Sequence, residues 1–122
     1  MQRWPLELEH IRIVTLASVS VARSMPAAPD AFLSRAAAAF YDARRLCQVA
    51  AAHKQPDGGR WSRRLVALRD QIDQAGEAGL SFVETARADP GDRSAAAGVV
   101  EMLAALQFLL VSAGQGVGVE SF

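Results

Sequence analysis

The amino-acid sequence predicts an all-α protein, an antiparallel four-helix bundle, on three observations. Four long segments place apolar residues at alternating steps of four and three, the spacing of one helical face. Clusters of proline, glycine and aspartate separate those segments. The composition leans the same way: alanine fills 24 of 122 positions, and 12 of the 13 basic residues are arginine, two of the strongest helix formers.

The first helix is expected over about residues 5–24. Pro5 suits a first helical position, Glu7 and Glu9 sit where the helix dipole favours carboxylates, and Arg23 lies at the opposite end. The segment has a rival reading. Ile11, Ile13, Thr15, Ala17, Val19 and Val21 alternate as a strand would, and β-branched residues favour strands. A strand needs a partner, and only Val117 to Phe122 offers one, so helix is preferred. Met25-Pro26-Ala27-Ala28-Pro29 ends it.

The second helix is expected over 29–53. Phe32, Ala36, Ala39, Ala43, Leu46 and Ala50 make its inner line, with Phe40, Cys47 and Ala51 widening the stripe. Most of that line is alanine, so a neighbour can approach closely. Gln55-Pro56-Asp57-Gly58-Gly59 stops it.

The third helix, about 60–87, carries the clearest pattern. Trp61, Leu65, Leu68, Ile72, Ala75, Gly79, Phe82 and Ala86 hold one phase, while Asp70, Asp73, Gln74, Glu77 and Glu84 fall on the wet side. Gly76 and Gly79 cost about 1 kcal/mol each in a helix interior, which allows a bend there. Asp89-Pro90-Gly91 ends it.

The fourth helix, about 92–113, opens on Asp92 or Ser94 as cap. Its inner line is Val99, Leu103, Leu106, Leu110 and Ala113. Val100, Met102, Phe108, Leu109 and Val111 make it apolar nearly all round, as expected of a central helix or half of an interface. Residues 1–113 therefore read as one domain, and the glycine-rich 114–122 as a short irregular or β tail.

Charge and cysteine content exclude several functions. Thirteen basic side chains balance thirteen acidic ones, so the excess that general nucleic-acid binders use is missing. One cysteine, Cys47, cannot form an internal disulfide or a multi-thiolate zinc site. Ile13 to Ala22 is a mostly apolar stretch in which Ser20-Val21-Ala22 would suit the cleavage site of a leader, but Glu7 and Glu9 cancel the positive flank such a leader needs. Ala95 to Ala113 is apolar enough to suggest a membrane span, yet Glu101 near its middle would cost about 2.5–3.5 kcal/mol, and a buried bundle helix avoids that cost. A cytoplasmic bacterial protein is expected, the bacterial origin from the alanine and arginine bias.

Catalytic and metal-binding sets are incomplete. Glu7 and His10 have the Glu-x-x-His spacing of di-iron bundles, but His53 has Ala50, not Glu, three residues before it, so no metal or other cofactor is expected. Cys47 lies mid-helix without a base in reach, and Asp70 and Asp73 serve a solvated face. A phosphorelay histidine needs its helix to continue, whereas His53-Lys54 runs into Gln55-Pro56. No phosphate loop, dinucleotide fingerprint or serine elbow occurs.

Two candidate sites remain. His53, Lys54, Arg60, Arg63 and Arg64 gather at one end of the expected bundle, either paired with Glu7 and Glu9 or open to an acidic or phosphate-bearing partner. Val100, Leu103, Leu106, Phe108 and Leu110 offer an apolar interface. The first and fourth helices hold more apolar surface than four helices can hide, which points to a homodimer or another protein as partner. The expected function is non-catalytic protein–protein interaction, as an adaptor, secretion chaperone, inhibitor or immunity-type factor. The alternative is an apolar small molecule or lipid held between the helices, with Leu103, Leu106, Phe108 and Leu110 as walls.

Overall fold

A computed structural model describes residues 6–25, 29–52 and 63–114. Four helices account for nearly all of them: α1 Leu6–Ser24, α2 Pro29–Ala52, α3 Arg63–Ala88 and α4 Arg93–Gly114. Among the described residues there is no strand. Each helix packs on the next, α1 closes the ring against α4, and α2 and α4 touch more lightly across the diagonal. This is the antiparallel four-helix bundle that the spacing predicts.

The strand reading of the first segment gives way to helix for a packing reason. Leu8, Arg12, Thr15, Val19 and Ala22 are its buried positions, at steps of four and three, so the helical stripe and not the alternation meets the core. Its hydroxyl side chains bond back within the helix: Thr15 Oγ1 donates to the Ile11 carbonyl at 2.8 Å and Ser20 Oγ to that of Leu16 at 3.0 Å.

The inner line of α2 is buried from Phe32 to Ala50 together with Phe40 and Cys47, and Leu33 and Ala37 join it. Ala51, expected to widen the stripe, shares the phase of Cys47 but lies in the last turn of the helix and is exposed. In α3, Leu68, Ile72, Ala75, Val83 and Ala86 are buried, and the helix runs unbroken past both glycines. They serve contact. A Cβ on Gly79 would overlap the ring of Phe40, which is wholly buried, and one on Gly76 would come within 2.8 Å of Arg44 Cγ and 3.1 Å of the Phe40 carbonyl oxygen. Gly98 of α4 likewise faces Phe82 of α3, 2.6 Å from where its Cβ would stand.

The α3–α4 connection is a tight turn. Asp92 N–H donates to the Asp89 carbonyl at 3.0 Å and Gly91 N–H to Asp89 Oδ1 at 3.2 Å. Of the two expected caps, Asp92 is the one in use: its Oδ1 accepts from Ala95 N–H at 3.0 Å. Residues 53–62 and 115–122 lie outside the described residues, so the start expected for α3 at 60 and the expected tail are not described.

Candidate functional site

Two features stand out among the described residues: apolar side chains exposed on the outer faces of α1 and α4, and a buried cation that ties those two helices together. On α4 the buried line is Ala95, Val99, Leu103, Leu106, Leu110 and Ala113. Turning roughly half a revolution reaches Val100, Ala104 and Phe108, with Val100 half exposed and Phe108 at 71%. Glu101 is the only charged side chain between Arg93 and Gly114. On α1, Ile13, Val14 and Val21 are each about half exposed, and Ala17 lies exposed between them. Valine, isoleucine and phenylalanine in such positions are usually covered in monomers when they form a continuous patch.

Three of the five residues expected at an apolar interface are elsewhere. Leu103, Leu106 and Leu110 have at most 1% of their surface exposed and sit in the centre of the bundle. They share the helical phase of Val99, so they can be neither outer interface nor the walls of an open ligand cavity. Val100 and Phe108 are the two that reach the surface.

Arg12 joins α1 to α4. Its side chain is 9% exposed, its Nε donates to Glu9 Oε2 at 2.9 Å, and its Nη2 pairs with Glu9 Oε1. Nη1 donates to the Leu110 carbonyl at 2.9 Å. The guanidinium occupies the space a Cβ on Gly114 would need, so it rests against the last turn of α4. That is the negative end of the helix dipole, where a cation is favoured. Further along the same seam, Arg23 Nη1 donates to Gln107 Oε1. In the sequence Arg12 stands close to Glu7 and Glu9 and looks like one more charge of a solvated segment. The clue was its register: Arg12 falls four residues after Leu8 and three before Thr15, on the inward stripe.

The basic end is only partly described. His53, Lys54 and Arg60 lie outside the described residues, and for Arg63 and Arg64 the helix backbone is described but the side chains are not. Of the carboxylates expected to pair with them, Glu9 is engaged by Arg12 of its own helix.

The groups that could carry chemistry are arranged for packing. Cys47 is buried, with Sγ 3.2 Å from the Arg69 carbonyl oxygen as its donor contact. Burial, with the nearby Asp73 carboxylate adding to it, pushes the Cys47 thiol up to about 12, so the nucleophilic thiolate is scarce at neutral pH. Asp73 faces Arg44 at 3.4 Å, a half-exposed pair of little energetic weight. Among the described residues, no three His, Cys, Asp or Glu side chains gather in a way that could hold a metal ion. One described helix, α4, is long and apolar enough to cross a membrane by length and composition, and a third of its most apolar window is buried in the bundle.

A cavity of about 390 Å³ opens between the first turns of α2 and α4 and the last turn of α3. Comparison with known proteins adds no further guide: no family model, curated protein or solved structure matches the chain.

Proposed function

We propose that this protein works by protein–protein association, as a small non-catalytic helical binder, and that its first partner is a second copy of itself. The supporting observation is the apolar side chains exposed on the outer faces of α1 and α4, where Phe108 stands 71% exposed and Ile13 and Val21 about half exposed. Burying a phenylalanine of this kind yields about 1.5–3 kcal/mol, and aromatic side chains are typical anchors at the centre of interfaces. A two-fold pairing would set this face against itself, so each Phe108 would gain cover from the partner's α1 or α4. Stable dimers bury about 800 Å² per partner, an area that two adjacent helices of 19 and 22 residues can provide. The adaptor, chaperone, inhibitor and immunity roles all use such a surface. Self-pairing covers that surface, and dissociation would release it to another partner.

Light scattering across a wide concentration range tests the reading. Wild-type protein is expected at twice the chain mass, and Phe108→Asp at the chain mass with an unchanged helical circular dichroism spectrum. A wild type that stays at the chain mass at hundreds of micromolar would overturn it.

A further inference from the structure

The cavity lies where the first turns of α2 and α4 meet the last turn of α3. Its lining among the described residues comes from those three helices and the turn between α3 and α4. The opening turns of α2 and α4 face each other across it. Phe32 and Leu33 of α2, Ala86 of α3, and Ala96, Ala97 and Val100 of α4 make the lining apolar. Its volume of about 390 Å³ is within the range of small-molecule sites.

We propose that this cavity is a binding site for a neutral, largely apolar small molecule carrying a single hydrogen-bonding head group. The size and apolar lining set the body of the ligand. The charged lining residues set its head: Asp30, Arg87 and Asp92. An anionic head entering there meets the two carboxylates, and a cationic one meets the Arg87 guanidinium. Either would lose hydration beside a like charge, whereas a hydroxyl or secondary amine can bond to either sign at little cost. Asp92 is held in place by its bond from Ala95 N–H, so this polar edge is fixed by the cap of α4. Three alanines at the contact leave room for an aromatic body, with Phe32 beside it.

The probe pair N-phenyl-1-naphthylamine and 1-anilinonaphthalene-8-sulfonate tests this, because the two share one body and differ by a sulfonate. The neutral dye is expected to bind saturably at one per chain, and the anionic one at least tenfold more weakly. Ala97→Trp, at an exposed position that can take a larger side chain, is expected to weaken the neutral dye at least tenfold. Phe108→Asp is expected to leave its affinity within twofold, which separates this site from the self-association face. Amide chemical-shift changes on titrating the unmodified protein should fall at Leu33, Ala97 and Val100, a readout that needs no variant. The proposal is overturned by absence of saturable binding, by equal affinity for the sulfonate, by an Ala97→Trp protein that binds as well as wild type, or by shifts confined to the surroundings of Phe108.

Discussion

Arg12 shows how one residue can be misread from its neighbours and corrected by its phase. Beside Glu7 and Glu9 it looks like surface charge, and the short-range sequence contains nothing against that. Its position on the inward stripe implies burial, but burial of a cation is tolerable only with partners, and one of those lies 98 positions away. No local pattern announces the carbonyl of Leu110. Replacing Arg12 with Met keeps the length and removes the donors, leaving Glu9, about a third exposed, without its partner. That substitution is expected to lower the unfolding free energy by about 2 kcal/mol in urea titrations, from the lost charged hydrogen bonds to Glu9 and to the buried Leu110 carbonyl. Adding Glu9→Gln to it should then return part of the loss. If the two changes simply add, the pairing is not what Arg12 contributes.

At the scale of the helix, the four-three spacing was enough to place every element within a few residues, because helix ends here coincide with proline, glycine and aspartate clusters. What spacing could not convey was which face would stay wet on α4. Apolar residues cover nearly all of that helix, so its pattern has little contrast: the four-three line set Leu103, Leu106 and Leu110 inward, where they are found, yet the same leucines also read as an outer interface. The glycines of α3 carry a comparable ambiguity. Read by propensity they weaken the helix; read by contact, Gly79 is where α2 lays the Phe40 ring against the α3 backbone. Gly79→Ala puts these two effects in opposition. Alanine gains about 1 kcal/mol of helix propensity, and the clash with a wholly buried ring costs about 1–3 kcal/mol. A net destabilisation of up to about 2 kcal/mol is expected from thermal and urea unfolding. Stabilisation by the alanine would mean that the ring can move aside.

For the whole molecule, balanced charge, one cysteine and the bundle architecture were all legible from composition and period. The apolar cavity was not, because its lining comes from the ends of three helices far apart in sequence and not from any motif. Association is also a property of this scale. Because a dimer that unfolds to single chains gains stability with concentration, the melting temperature of the wild type is expected to rise by about 3 °C for each tenfold increase in protein, while that of Phe108→Asp stays constant. The seam that Arg12 closes has a consequence of another kind. Its acceptor on Leu110 comes so late in the chain that a ribosome must synthesise nearly everything before the first helix can find its mate. The three hairpins can assemble as they emerge; the ring cannot. Until then the opening segment waits with an uncovered cation and a greasy flank, and whatever shields it during that interval determines how much of the newborn protein arrives intact.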